Sequence, residues 1–479
     1  MFITHDEANI TMHVKGISRV AAVIAIIVII IVAGGGGYYY YSTTISHTTT
    51  PTKKLSGSIT IAADPGYNDA ALKQIAQNFM AANPGTTITI AEVPYADIVS
   101  SEEPSLALNQ SPYSIITLPA QDLGPLEPSL LNLAPYLSNP AYFPASWNYS
   151  DILPSEFQLY TSGQSIYAIP EATGVMDFFY RPSLFDNSTN QQLFLQQYGY
   201  ALPNPGNTTL TLSQLVDLAN FFNGQHGSKY GIVLMSDSGD DDIIQTYMAL
   251  LAGTRVGADG QFGPVKAPYG ELFSSSGVPI FNTSAVESTL NSYIQLVRAS
   301  ESPLSAAYET VPEMFGSGGG AMMVFWETPA LYLNNASRSN IVGDWALAPT
   351  FPTGHTLISG TGLAINAHTT NLPLALAFLE YATSPSQSVY LFSMDSLLPF
   401  RESVFNYAMQ HNPTYAQSYL AIEDNIAQGV MGIPDVSYWS QMATYFNSQI
   451  AYIYNNQTTI PSAMNSVQAQ TYSLINGAT

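Results

Sequence analysis

The side chains with the most evident chemistry in this sequence are aromatic rings, carboxylates and amides. The chain contains 31 Tyr, 21 Phe and 4 Trp, and most of the Phe rings are expected in the core. A Tyr or Trp ring can stack on the apolar CH face of a sugar, and the hydroxyls at the rim of the sugar need fixed donors and acceptors. A carboxylate can accept from two vicinal hydroxyls through charge-assisted bonds. This set of side chains therefore suits the binding of a carbohydrate.

Motifs for metal, phosphate or covalent chemistry are not evident in the sequence. The absence of cysteine excludes disulfides, thiolate metal sites and Cys nucleophiles. The seven histidines fall in no zinc-ligand spacing, and no G-x-S-x-G elbow occurs. The glycine run at residues 316–321 follows a predicted helix and precedes a predicted strand, the reverse of a phosphate loop, so a tight turn is predicted. We expect no metal and no cofactor.

The carboxylates leave one enzymatic alternative open. Glu156, Glu171, Asp177 and Glu327 could supply the carboxylate pair that a glycosidase needs, although a chain with 34 acidic residues always offers some pair. The acidic run at residues 240–242 lacks the ligand periodicity of a calcium loop. Because carboxylates complement the dipole of a helix N-terminus, this run is expected to begin a helix.

Length and charge narrow the class of protein further. About 420 of the 479 residues remain after the unusual N-terminus, which suits two lobes or domains. The net charge is −22, which argues against a nucleic-acid partner. Only 10% of the residues are charged, so the surface must be largely polar and uncharged. Because such a surface changes little on protonation, we expect tolerance of an acidic medium.

The N-terminus predicts where the protein works. Residues 20–33 are an unbroken apolar run that continues to Tyr41, and residues 17–41 are long enough to span a bilayer. Lys15 and Arg19 precede the run and four tyrosines end it, so residues 1–16 are expected in the cytoplasm and the body outside the cell. Lys15-Gly16 resembles the cleavage site of archaeal class III signal peptides. Residues 42–56 are predicted to form a Ser/Thr-rich stalk.

Sequons of the N-x-S/T type support an extracellular location weakly, since a polar sequence produces several by chance. They occur at Asn148, Asn187, Asn207, Asn282, Asn335 and Asn456.

The body alternates between strand and helix patterns. Strands are predicted at residues 58–62, 87–91, 115–118 and 231–235, and helices at residues 69–82, 213–222 and 284–298. This alternation indicates βαβ units and mostly parallel sheets covered on both faces by helices. After about residue 371 the pattern becomes helical, at residues 374–383, 386–392 and 438–475. The fold class is therefore α/β.

Six stretches of the body form an ordered set that spans about residues 58–475. They are AALKQIAQNFMAANP at 70–84, residues 151–185 with SIYAIP and YRPSLF, FGSGGGAMMVFW at 315–326, residues 343–392, LPFR at 398–401 and PDVSYW at 434–439. In this order they resemble the carbohydrate-binding family 1 extracellular solute-binding proteins, the maltodextrin-binding type.

The resemblance implies a two-lobed, type II periplasmic-binding-protein-like fold that closes on a sugar between its lobes. Three chain crossings are expected, near residues 170–178, 318–322 and 367–373. The first lobe then comprises residues 57–172 and 321–370, and the second lobe comprises residues 173–320 and 371–479. The implied partners are a carbohydrate ligand and the permease subunits of an ABC importer.

The resemblance also implies which side chains face the ligand. Trp326, Tyr438 and Trp439 are expected as stacking platforms, and Thr361 stands where many relatives have a cleft tryptophan. The full set is Tyr67, Gln121, Asp122, Glu171, Asp177, Asp241, Asp242, Trp326, Thr361, Tyr438 and Trp439. The implied function is a receptor without catalysis, with a tethered acid-stable glycosidase or a surface structural protein as the alternatives.

Overall fold

The structure is a computed structural model that describes most of the body of the chain. It describes residues 55–65, 68–94, 103–239, 241–259, 272–274, 277–326, 329–395, 397–411, 430–434 and 436–477. Residues 1–54, which include the predicted anchor, most of the predicted stalk and the Lys15-Gly16 site, lie outside these ranges. Within them, no helix is both long and apolar enough to cross a membrane.

The described elements alternate as the sequence predicts. The strands are β1 Gly57–Ala63, β2 Thr86–Glu92, β3 Ile115–Pro119, β4 Thr161–Ser162, β5 Ser165–Ile166, β6 Ala168–Tyr180, β7 Tyr230–Leu234, β8 Gly320–Trp326, β9 Ala346–Leu347, β10 Thr356–Ile365 and β11 Val430–Gly432. The helices of the first half are α1 Asp69–Ala82, α2 Glu103–Ala107, α3 Leu123–Leu126, α4 Ala134–Leu137, α5 Pro154–Leu159, α6 Pro182–Phe185, α7 Ser188–Tyr198 and α8 Leu212–Phe222. Those of the second half are α9 Asp242–Asp259, α10 Ser284–Arg298, α11 Val311–Gly316, α12 Ala330–Leu333, α13 Leu372–Ala382, α14 Pro385–Asp395, α15 Glu402–His411, α16 Trp439–Tyr454 and α17 Ile460–Ile475.

The predicted local structure is confirmed at several places. Helices α1 and α10 have the predicted bounds, because each places its apolar residues at helical spacing between residues that stop the helix. Helix α9 begins at Asp242, as expected of an acidic helix start. The glycine run joins α11 to β8, which confirms the helix-to-strand turn.

Nine of the described strands form one sheet, whose main order is β2-β1-β3-β10-β6-β8-β7. The pairs β1/β2, β1/β3, β7/β8 and β10/β11 are parallel, whereas β3/β10, β6/β10, β6/β8 and β6/β9 are antiparallel. The sheet is therefore mixed, and the prediction of mostly parallel sheets was wrong. The reason is that β6 and β10 lie between the two parallel parts and run opposite to their neighbours.

Two separate cores divide the body into lobes. The first-lobe core contains Ile61, Phe79 and Leu379, and a smaller cluster with Leu118 adjoins it. The second-lobe core contains buried side chains of α8, α10, α16 and α17, among them Phe446. The long strand β6 passes from one lobe to the other, since Val175 pairs with β10 and Met176 with β8.

The expected lobe boundaries differ from this packing. Strand β8, expected in the first lobe, packs in the second-lobe core, and α13 and α14, expected in the second lobe, pack against α1 in the first. On the described residues the first lobe comprises 57–175 and 358–411, and the second comprises 176–357 and 430–477. An apolar strand such as β8 does not reveal in its own sequence which strand it will pair with.

Candidate ligand-binding site

The carboxyl ends of the parallel strands in the two lobes point toward each other. Strand β3 ends at Pro119, which pairs with Thr361, and Thr361 pairs with Ala172 of β6. Strand β8 runs the opposite way and ends at Trp326, which pairs with Met176 of β6. Four residues of β6, about 13 Å, therefore separate the two ends. In open α/β sheets, ligands bind outside the carboxyl ends of strands, so we call the residues at these two ends the first rim and the second rim.

The first rim is held together by Asn68, which precedes α1. Its side-chain nitrogen donates to Oγ1 of Thr117 at 2.9 Å and to Oε2 of Glu171 at 2.8 Å. Its side-chain oxygen accepts from the backbone N–H of Asp64 at 3.1 Å. Asn68 is fully buried and Glu171 is 1% exposed. One amide therefore joins the end of β1 to β3 and β6 and orients the Glu171 carboxylate.

Gln121 and Asp122 lie in a single 3-10 turn directly after β3. The hydroxyl of Ser359 on β10 donates to Oε1 of Gln121 at 3.1 Å. Two residues further along β10, Thr361 lies at an irregularity in the β6/β10 register. Its hydroxyl is buried and has no hydrogen-bond partner in the described part of the chain. A buried hydroxyl of this kind calls for a partner such as a water or a ligand.

Tyr160 contributes a second buried hydroxyl next to the first rim. Its ring lies against Gly362, and its hydroxyl also has no hydrogen-bond partner among the residues that the structure describes. Burial raises the pKa of Tyr160 well above its usual value, and the nearby carboxylates of Glu156 and Glu171 raise it further. The Tyr160 hydroxyl is therefore neutral at any physiological pH and can donate a hydrogen bond.

The second rim is built at the beginning of α9. The indole nitrogen of Trp439 donates to Oδ2 of Asp241 at 3.0 Å, and the backbone N–H of Tyr308 donates to Oδ2 of Asp242 at 3.1 Å. The helix dipole favours both carboxylates at this end. Ser236, which follows β7, is fully buried, and its hydroxyl lacks a hydrogen-bond partner within the described ranges.

Trp326 ends β8 and faces the same part of α9. Its indole nitrogen donates to Oε1 of Gln245 at 3.3 Å, and the backbone N–H of Gln245 donates to the carbonyl of Asp241. Trp326 is 8% exposed and Trp439 is 1% exposed, so Trp439 is packed as a core residue. Tyr438, which precedes α16, is partly buried against the second-lobe core.

The predicted site residues thus fall into two groups. Gln121, Asp122, Glu171 and Thr361 lie at the first rim, and Asp241, Asp242, Trp326, Tyr438 and Trp439 lie at the second rim. Asp177 is fully buried on β6, opposite Phe325 of β8 and one residue beyond Met176. Tyr67 lies outside the described residues, as does Glu327. Contact of these side chains with a ligand stays a prediction.

Sequence reasoning missed Asn68, Tyr160, Ser236 and Gln245. Asn68 and Gln245 stand at the beginnings of helices, where a polar residue is ordinarily a cap or a solvent-facing position. The one available signal for Gln245 was its spacing, since it lies one helical turn after Asp241 and therefore on the same side of the helix.

The charged side chains at the two rims are all acidic. The first rim contains Asp122 and Glu171, the second contains Asp241 and Asp242, and neither includes a Lys or Arg among the residues named above. Among the described residues, no group of three or more His, Asp and Glu side chains could hold a metal ion. The rims therefore offer acceptors, neutral hydroxyls and the indole ring of Trp326, a combination suited to a neutral polyhydroxylated ligand.

The sequence of residues 62–389 matches the model of a family described as bacterial extracellular solute-binding protein. None of the curated protein sequences compared with the chain matches it.

Solved structures share the fold over most of the chain. A solute-binding protein of an ABC transporter from Agrobacterium radiobacter K84, in complex with ribitol, is 19% identical with a TM-score of 0.70, over 88% of this chain and 100% of that chain. Maltose-bound MalE3 from T. maritima is 16% identical with a TM-score of 0.70, over 87% of this chain and 99% of that chain. An ABC transporter solute-binding protein from Agrobacterium vitis S4, with bound D-mannitol, is 16% identical with a TM-score of 0.67, over 88% and 99%.

Proposed function

The chain belongs to the family of bacterial extracellular solute-binding proteins, and from that premise we propose that it binds a neutral sugar or sugar alcohol between its two rims. In this proposal the protein delivers the ligand to the permease of an ABC importer and does not transform it. The observation that carries the proposal is that the carboxyl ends of β3 and β8 point toward each other along β6. Carboxylates lie at both rims, and an indole ring lies at the second rim.

The chemistry of the rims supports a polyol. The buried hydroxyls of Tyr160, Thr361 and Ser236 lack partners in the described structure, and sugar hydroxyls can both donate to and accept from such groups. The structural neighbours named above hold ribitol, maltose and mannitol, all of which are uncharged. Sugar phosphates and uronates are expected to bind poorly, because their negative charge would meet Asp122, Glu171, Asp241 and Asp242.

Closure of the two lobes is the proposed signal to the permease. A ligand that contacts both rims favours the closed state, in which the rims are close together. The free energy by which it shifts the equilibrium equals the difference between its binding free energies for the closed and open states. Strands β6 and β10 connect the lobes, and Gly174 and Gly360 approach each other closely there. We propose that this pair of strands bends during closure.

The proposal includes an extracellular body held by the apolar segment of residues 17–41. An archaeal class III signal peptidase would cut after Gly16, so sequencing the mature protein should find Ile17 at its N-terminus. Finding Met1 or Phe2 instead would reject cleavage and leave the membrane anchor to be tested by fractionation.

A thermal-shift screen tests the binding function. Purified protein is melted with neutral monosaccharides, oligosaccharides and sugar alcohols, and with a uronate and a sugar phosphate as charged controls. At a concentration 100 times Kd, a ligand adds about 2.7 kcal/mol to stability, which raises the melting temperature measurably. Saturable shifts with neutral compounds alone are expected. No shift with any compound in a broad panel would reject the proposal.

The glycosidase alternative predicts a different result in the same samples. Of the carboxylates considered for it, Glu156 and Asp177 are fully buried and belong to neither rim. Chromatography of a bound oligosaccharide after long incubation should recover it intact. Shorter products would favour the glycosidase.

A further inference from the structure

Seven asparagines of the described body stand in N-x-S/T sequons. Asn109, followed by Gln110 and Ser111, is one of them, together with Asn148, Asn187, Asn207, Asn282, Asn335 and Asn456. All seven asparagines are exposed, and all seven lie outside helices and strands. Three of them, Asn109, Asn148 and Asn456, have a φ of 56°, the left-handed conformation that asparagine adopts in tight turns.

Exposure is a property of the sequon asparagines and not of asparagine in general. The described ranges contain nineteen other asparagines, of which nine are exposed. Four of the remainder are buried: Asn68, Asn190, Asn366 and Asn447. Several of the exposed ones, such as Asn220 and Asn291, lie within helices. The sequons therefore mark a selected set of surface turns.

Three of the sequons, at Asn109, Asn187 and Asn207, lie away from the two rims. Asn109 lies between α2 and the amino end of β3, the end opposite to the first rim. Asn187 follows β6 beyond Tyr180, which pairs with Met322 near the beginning of β8. Asn207 lies beside Gly206, which contacts the Tyr180 hydroxyl.

Two further sequons lie on the same remote side of the second lobe. Asn335 lies in the turn whose Asn340 N–H donates to the carbonyl of Gly316, ahead of β8. Asn456 accepts from Arg298 at the end of α10, and the next residue, Ala299, binds the first residues of β7 through its carbonyl. Bulky groups on these turns would leave the space between the rims open.

We propose that these seven asparagines are N-glycosylated. The donor would be an oligosaccharide linked through phosphate to a membrane lipid. The side-chain nitrogen attacks carbon 1 of the first sugar, forming an N–C bond, while the bond from carbon 1 to the phosphate oxygen breaks. The lipid phosphate leaves with the electron pair of that bond, and one amide proton is released. The proposal requires an extracellular body but no particular ligand.

The local geometry is compatible with attached glycans. The side-chain oxygen of Asn187 accepts from the backbone N–H of Thr189 at 2.9 Å and from that of Asn190 at 3.2 Å, so a substituted nitrogen would not disturb this cap. Asn282 is a different case, because its nitrogen donates to Oδ1 of Asn465 at 3.0 Å. A glycosylated amide keeps one N–H, which allows that bond to persist.

Peptide mapping by mass spectrometry of protein purified from the cells that naturally produce it tests the proposal. Peptides that contain the sequon asparagines should carry saccharide mass increments, and those that contain Asn139, Asn220 or Asn476 should not. Unmodified asparagines at all seven sequons, or equal modification outside them, would overturn the proposal.

A matched pair of variants made in the same cells tests the acceptor motif. Thr189→Ala removes the sequon hydroxyl but keeps the backbone N–H that bonds Asn187, whereas Thr189→Ser preserves the sequon. The glycopeptide at Asn187 should disappear in the first and persist in the second. Persistence in Thr189→Ala would reject enzymatic N-glycosylation at this site. Because Thr189 is exposed, both variants should keep the wild-type melting temperature. Asn187→Gln removes the acceptor asparagine itself and should likewise abolish the glycopeptide at this position.

Discussion

The indole nitrogen of Trp439 donates a hydrogen bond to a carboxylate oxygen of Asp241 at 3.0 Å, across 198 residues of sequence. The bond ties the beginning of α16 to the segment that precedes α9. Because Trp439 is 1% exposed and Asp241 is 8% exposed, water cannot readily replace either partner.

Asp241→Ala should therefore destabilise the second lobe. Removing the acceptor leaves the buried indole N–H unpaired, at a cost of about 1–3 kcal/mol. Asp241→Asn keeps a side-chain oxygen in the same place and should cost less. Urea unfolding of the two variants measures the difference, and equal stability of Asp241→Ala and wild type would contradict the assigned bond.

Trp326→Ala should weaken sugar binding by more than about 1 kcal/mol, the scale of a lost aromatic contact. Trp345 provides the matched control, since it lies in the second lobe, packs against the second-lobe core and donates to Asn334, but belongs to neither rim. Trp345→Ala should change stability and leave affinity unaltered. Calorimetric titration with a sugar found in the thermal-shift screen compares them, and unchanged affinity in Trp326→Ala would remove Trp326 from the site.

Gly360→Ala should destabilise the connection between the lobes. A Cβ at this position would lie 2.4 Å from the carbonyl oxygen of Ala172, so β6 and β10 would have to separate. Overpacking of this kind costs about 1–3 kcal/mol. Gly239→Ala is the control, because its nearest neighbour would be 3.6 Å away, and its melting temperature should be unchanged. A Gly360→Ala variant as stable as this control would contradict the close packing of the two strands.

The stability of the first lobe should fall as pH rises toward neutrality because of Glu380. Burial raises the pKa of Glu380 to about 7 from its usual value near 4.5, and the nearby Arg401 opposes the rise. Between these two values the folded state holds a proton that the unfolded state has released, so unfolding becomes easier as pH rises. The contribution of protonated Glu380 to the free energy of unfolding is fully present below about pH 4.5 and amounts to about 3 kcal/mol at most.

Glu380→Gln should flatten this part of the pH profile, since glutamine is neutral throughout. Unfolding free energies at pH 4.5 and pH 7.5 give the comparison, with Glu402→Gln as an exposed control on α15. If wild type and Glu380→Gln lost stability in parallel over this range, the assignment to Glu380 would be wrong. A carboxyl group that stabilises the fold when protonated agrees with the expected tolerance of acid.

Local structure was predictable where short-range patterns decide it. Helix α1 begins after Asn68 and ends at Ala82, ahead of Asn83 and a proline, and its apolar residues repeat with helical spacing. Lobe membership was not predictable, because it depends on pairing between strands far apart in sequence, such as Ile358 with Val175. The composition and spacing of β8 do not distinguish one lobe from the other.

The candidate site was predictable in part for the same reason. Residues that directly follow strands, such as Gln121 and Asp122, were found because strand ends are visible in sequence. The roles of Asn68 and Gln245 depend on partners 103 and 81 residues away, which no local pattern reveals. The burial of Trp439 likewise results from the packing of α16 against other helices of the second lobe.

The passage of β6 through both cores couples their unfolding. The hydrogen-bond ladders from β6 to β10 and from β6 to β8 share the backbone of one strand. Unfolding one core while β6 stays paired in the other therefore costs free energy. Heat should therefore disrupt the described body in a single cooperative transition, with equal calorimetric and van't Hoff enthalpies, and ligand bound at either rim should protect amides of both lobes from hydrogen exchange.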